Sequence, residues 1–156
     1  MNETLTNQLY SKYPDIFRDK DRPMNETCMC WGFSFNDGWN LITNKMLSKL
    51  DLIQKVSGIQ IIADQAKEKF GTGRFYYHVD DEKCLNKDES VVSNWILIIS
   101  DIVRSWEYET SIICEVSGKY GELCTKGGWL KTLCKEEAEK LGFEKYKNNI
   151  SYNNLL

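Results

Sequence analysis

From Trp39 onward the apolar residues recur at helical intervals, with Trp39, Ile42, Met46, Leu50 and Ile53 on one face of a 3.6-residue turn. Asn36 or Asp37 can cap that run and Gly58 follows it, so the pattern predicts a helix over 37–55. From Ile59 the period drops to two. Ile59, Ile61 and Ala63 share one face of an extended segment. After the turn Phe70-Gly71-Thr72-Gly73, the residues Phe75, Tyr77 and Val79 share the matching face. This predicts a β-hairpin over 59–79, with Arg74, Tyr76 and His78 on the opposite face of its second strand. A second helix is predicted over 90–107, where Val92, Trp95, Ile99, Ile102 and Trp106 line up. A buried strand for the central Trp95–Ile99 run is the competing reading. Ile96, Leu97 and Ile98 leave that helix few polar flanks, which marks it as the core helix or as an oligomer contact.

The flanks are less regular. Residues 4–17 read as a short helix ending before Pro14, followed by an irregular arm. The alternation of Cys28, Cys30, Trp31, Phe33 and Phe35 suggests a strand, and 110–118 a strand and turn. Residues 119–129 read as loop. Trp129–Cys134 then lead into a helix over 135–143, closed by Gly142. No internal repeat or linker divides the chain. The expected architecture is a single α+β domain over 1–156, a small, mainly antiparallel sheet packed against two main helices. Its core is expected over 28–145, with the arm 1–27 and the tail 146–156 less ordered.

Composition narrows the function. A chain of 156 residues, 42% hydrophobic, can bury a real core. With 23 acidic against 20 basic residues and a pI near 5.3, it lacks the basic footprint of a general duplex nucleic-acid binder. The N-terminal stretch has neither a basic nor an apolar leader region, and the longest apolar run is far short of a bilayer span. A soluble intracellular protein without a membrane partner is expected. In that compartment the six cysteines are thiols or metal ligands.

Three chemistries were weighed. Structural zinc favours paired C-x2-C ligands, because a tight knuckle must present two sulfurs to one ion. No such pair occurs, and Ser117 stands where the partner of Cys114 would be. If any residues held zinc they would be Cys114, Cys124 and Cys134; buried thiols acting as small hydrophobes are the favoured reading. For catalysis, His78 is the only histidine, with no local nucleophile, and no phosphate-binding loop or hydrolase motif occurs. A non-enzymatic protein is expected. The third chemistry lies in residues 65–79, where Lys67, Lys69 and Arg74 are interleaved with aromatics around Gly71 and Gly73. Cations hold phosphates, flat rings stack on bases, and glycines let a ligand approach the backbone. The candidate ligand-binding residues are Lys67, Lys69, Arg74, Tyr76 and His78, with Trp39 as a further stacking surface. The plain alternative is a hairpin with solvated charges.

Three stretches, "NDGWNLITNKMLSKL", "QAKEKFGTGRFYY" and "ICEVSGKYGELCTKGGWLKTLC", occur in an order that resembles a widespread family of small tailed-phage proteins. That family has a Gly-Trp helix start, a Lys-Glu-Lys-Phe-Gly hairpin and a C-terminal cysteine knuckle. The resemblance spans roughly residues 36–134. Gly73 stands where the family pattern has Leu, and Ser117 where it has a thiol. Small phage proteins include some that sequester nucleotide immune signals of the infected cell. The resemblance therefore implies a homo-oligomeric nucleotide sponge in the host cytoplasm, binding a small nucleotide, cyclic or linear. The alternative it leaves is a degenerate zinc-knuckle module that binds nucleic acid or a host protein.

Overall fold

Residues 1–86 and 88–147 are described by a computed structural model of the chain. Helix α1 (Glu3–Lys12) opens on Asn2, whose side-chain oxygen accepts from the Leu5 amide, and stops at Tyr13, where Pro14 disfavours a further helical residue. The next segment is not a loose arm. It carries Tyr13, Ile16, Phe17 and Met29 into the core, all essentially buried. Its backbone also occupies the edge of the central strand: the Ile16 carbonyl accepts from Ala63 N–H and the Asp64 carbonyl from Cys28 N–H. An unpaired strand edge is costly to bury, and these bonds satisfy it.

The strand expected around Cys28–Phe35 shrinks to β1 (Phe33–Ser34), preceded by a 3-10 turn over Met29–Trp31. Cys28, Cys30 and Trp31 are exposed while Phe33 and Phe35 are buried, so the apolar alternation was only partly a strand signal. A second 3-10 turn (Asp37–Trp39) leads into α2 (Asn40–Ser57). The hairpin β2 (Gln60–Lys69) and β3 (Thr72–Asp80) forms in the expected phase, with Ile61 opposite Val79, Ala63 opposite Tyr77 and Ala66 opposite Phe75. β1 adds in parallel to the free edge of β2, giving the order β1-β2-β3. The Trp95–Ile99 run lies within α3 (Glu89–Thr110), a helix capped by Asp88. Helices α2 and α3 pack on each other and on the inner sheet face, closing a core around Phe35, Trp39, Phe75 and Trp106.

The C-terminal third forms its own small layer. The 110–118 stretch is turn with a single bridge, Ile113 to Tyr120, rather than a strand. The segment expected as loop instead holds β4 (Glu122–Lys126), paired with β5 (Trp129–Leu133) across Gly127-Gly128, both at positive φ. That Gly-Gly step is a two-residue hairpin signal that the polar flanks obscured. After α4 (Lys135–Leu141), β6 (Glu144–Lys145) completes the order β5-β4-β6. Cys114, Cys124, Leu133, Cys134 and Ala138 form a second buried cluster. The tail beyond Lys147 lies outside the described residues.

The two layers are joined by polar contacts between buried groups. Glu115, 2% exposed, accepts from Asn36 N and Nδ2 and pairs with Lys131 Nζ at 2.6 Å. The Thr132 hydroxyl donates to the Gly71 carbonyl at 2.7 Å, so the hairpin turn is held against β5. The molecule is a single α+β domain. No helix among the described residues is long and apolar enough to cross a membrane.

Candidate functional site

The outer face of the β2–β3 hairpin is built by strand alternation. Phe75, on the inner face, is buried against Tyr77 and Trp106, so Arg74, Tyr76 and His78 point outward. A register shift between Ala63 and Gln65 then places Gln65 opposite Tyr76 and Lys67 opposite Arg74. Along this face the charges fall in sequence. His78 Nδ1 lies 2.8 Å from Asp64 Oδ1 at one end. Lys67 Nζ sits 5.3 Å from the centre of the Tyr76 ring, and Lys69 Nζ the same distance from the Phe70 ring at the turn.

Arg74 is positioned rather than neutralised. Its Nη1 donates to Thr72 Oγ1 at 2.6 Å and to the Gly73 carbonyl at 2.7 Å. Among the described residues no carboxylate pairs with Arg74, Lys67 or Lys69. The nearest acid in sequence, Glu68, turns its carboxylate to the Gly71 amide at 2.6 Å. Like charges directly opposite each other on a sheet face destabilise the pair. Lys67 and Arg74 are such a pair, and among the described residues no carboxylate offsets them.

Beside Tyr76 lies a cleft of about 330 Å³, walled by Met24–Cys28 on one side and by Asp64 and Gln65 on the other. The wall from Met24 to Cys28 carries no periodic signal; chain folding alone brings it there. Tyr76, 43% exposed, lines this cleft.

Two expected features belong to the fold instead. Trp39 is fully buried, its indole N–H donating to the Ile113 carbonyl at 2.7 Å, so it offers no stacking surface. The space beside the turn glycines is filled from within. A methyl group at Gly71 would lie 2.5 Å from Leu123 Cδ1, and one at Gly73 would lie 2.5 Å from Trp106 Cη2. These glycines admit the protein's own side chains rather than a ligand.

The knuckle residues do converge in part. Ser117 N–H donates to Cys114 Sγ at 3.5 Å, and Ser117 Oγ lies 3.4 Å from Cys134 Sγ. Burial pushes the Cys114 thiol up, but the Ser117 hydroxyl and the backbone N–H groups of Cys134, Ser117 and Val116 outweigh it and hold the thiol below its ordinary value. Cys124 shares the cluster, with its thiol raised by burial. Among the described residues no three His, Cys, Asp or Glu side chains form a metal-holding group.

A larger cleft, about 660 Å³, opens beside this cluster over Leu133, Cys134 and Phe143. Its rim charges are matched internally: Lys119 with Glu136, Lys135 with Glu139, and Lys145 with Glu122. It therefore presents no net field to an anion. Comparison with protein-family models, curated proteins and solved structures finds no match to this chain.

Proposed function

We propose that this chain is a non-enzymatic binding protein that captures a small phosphate-bearing nucleotide on the outer face of its β2–β3 hairpin. One observation carries the reading: Lys67, Lys69 and Arg74 gather on one surface with no carboxylate partner among the described residues, beside a partly exposed tyrosine and a cleft. In an acidic chain most of whose other basic side chains are paired or hydrogen-bonded, such a patch is electrostatically incomplete, and a phosphate completes it. Arg74 is the main phosphate contact. The turn holds one end of its fork, and the remaining donors match two phosphate oxygens. Tyr76 lies two residues along the same face, about 7 Å away, which suits a base stacked next to its phosphate. Lys67 serves both groups, and His78 with Asp64 closes the far end.

Capture of this kind breaks no bond. Together with the resemblance to small phage proteins, it fits a sponge that removes a nucleotide immune signal, cyclic or linear, from the host cytoplasm. Self-association belongs to the same reading, because a second copy can enclose a ligand that one open face leaves in water. The exposed Ile96, Leu97 and Ile98 of α3 offer the contact.

Incubation with a mixture of mono-, di- and cyclic nucleotides, followed by mass spectrometry of what the protein retains, tests the proposal. The wild type retains a nucleotide, and Arg74→Ala, folded, loses about 1.5–3 kcal/mol of its binding, the scale of a hydrogen bond to a charged group. Phe75→Ala is the control for the register and destabilises the fold by about 3–5 kcal/mol. Unchanged retention by a folded Arg74→Ala protein returns the hairpin to a solvated surface.

A further inference from the structure

We propose that the cleft beside Tyr76 selects a guanine base. The inference rests on the nucleotide reading above and specifies the ligand of that same site. The cleft is lined by Met24, Asn25, Glu26, Asp64, Gln65 and Tyr76. Tyr76 supplies a ring face and Met24, 67% exposed, a polarisable surface, so a flat ring system has apolar cover on entry. A volume of about 330 Å³ holds one base and part of its sugar, with the phosphates left outside at Lys67 and Arg74.

The polar lining decides between bases. Glu26 and Asp64 present carboxylate oxygens, which accept hydrogen bonds. Each is held by a neighbouring nitrogen through one oxygen: Glu26 Oε2 lies 3.7 Å from Arg22 Nη1, and Asp64 Oδ1 lies 2.8 Å from His78 Nδ1. The second oxygen of each carboxylate makes no contact with another described residue, and is available to a ligand. A base read by a carboxylate must offer donors. Guanine presents N1–H and the 2-amino group side by side, so the free oxygen of one carboxylate accepts from one and the partnered oxygen, through its remaining lone pair, from the other. Adenine and cytosine set an acceptor nitrogen beside their single amino group, which the carboxylate repels. Uracil offers one N–H between two carbonyls. The amide groups of Asn25 and Gln65 add N–H donors for the guanine O6.

Calorimetric titration with GMP, IMP, AMP and UMP tests the assignment, using the wild-type chain, Glu26→Gln, Asp64→Asn and Arg74→Ala. GMP binds about tenfold more tightly than AMP or UMP, one well-formed hydrogen bond to a charged group, with IMP between them because it lacks the 2-amino donor. Glu26 is exposed, so Glu26→Gln leaves the fold intact; it weakens GMP and so removes the preference over AMP. Arg74→Ala weakens all four. Equal affinity for the four nucleotides, still dependent on Arg74, overturns guanine selection and leaves nucleotide capture standing. Absence of binding by all four overturns both. A preference for GMP that survives Glu26→Gln and Asp64→Asn alike assigns the selectivity elsewhere and sinks the proposal.

Discussion

Gly73→Ala is a one-methyl perturbation whose cost can be worked out from the packing around it. Gly73 lies at the start of β3, where a β-carbon would sit 2.5 Å from Trp106 Cη2, 2.8 Å from Cζ3 and 3.0 Å from Thr110 Cγ2. Carbon atoms pack at about 3.5–4 Å, so the overlap is roughly 1 Å. Neither side can yield cheaply. The Trp106 indole donates to Thr43 Oγ1 and is ringed by Phe35, Trp39 and Phe75, while the Gly73 amide is held by Thr110 Oγ1 at 2.7 Å. Overpacking of a closed core costs about 1–3 kcal/mol. Replacing a strand glycine by alanine returns about 0.5–1 kcal/mol of backbone entropy. The net loss is about 1–2 kcal/mol, a fall in Tm of roughly 2–8 °C for a domain of this size. Urea denaturation with intrinsic tryptophan fluorescence measures it, and a cycle with Trp106→Phe identifies the cause. Phenylalanine lacks the outer indole ring, so in that background Gly73→Ala costs close to nothing, although Trp106→Phe is itself destabilising. A Gly73→Ala protein as stable as the wild type, or an equal loss in both backgrounds, refutes the argument.

Three further outcomes follow from particular contacts. Glu115→Ala removes the buried carboxylate that joins Asn36 to Lys131, and lowers stability by about 3 kcal/mol in a denaturant titration, the low end for a broken buried pair because Lys131 remains partly solvated. Burial, then the nearby Asp21 and Cys30, push Tyr10 up to about 12 from 10.0. The folded state therefore holds its proton longer than the unfolded state. Stability is unaffected below pH 10 by this group and falls as pH rises from 10 towards 12, a decline that Tyr10→Phe reduces in thermal melts run across that window. Leu97→Glu, on the exposed side of α3, changes monomer stability by less than about 0.5 kcal/mol, yet shifts light-scattering mass towards the monomer.

Where apolar spacing set the structure, the sequence was readable. The inward run Ile59-Ile61-Ala63 and its partners Phe75-Tyr77-Val79 determine which face of the hairpin meets α3, and so which residues point outward. The phase of α2 and α3 followed from the same argument. Trp39 shows its limit: an aromatic at the head of a helical stripe is spaced for burial, and it is buried. The β4 strand was hidden because its side chains, from Glu122 to Lys126, are mostly polar and half covered, leaving the Gly127-Gly128 turn as the only strong local mark. The burial of the N-terminal segment is not legible in the sequence because Tyr13, Ile16 and Phe17 are too few and too irregular to show a period. The cleft wall from Met24 to Cys28 meets Asp64 only through contacts about forty residues apart in the chain, which no local pattern encodes.

The position of bound nucleotide is read most directly by amide chemical-shift mapping of the isotope-labelled protein during titration with GMP. Capture at the outer hairpin face moves the amides of Asp64, Lys67, Arg74 and Tyr76 and of the facing Glu26–Cys28 backbone, in a saturable way that Arg74→Ala suppresses. The amides lining the larger cleft, from Lys119 to Lys145, stay in place. Shifts confined to that cleft, or no saturable shifts at millimolar GMP and with the other mononucleotides in turn, contradict the assignment of the hairpin face as the binding site.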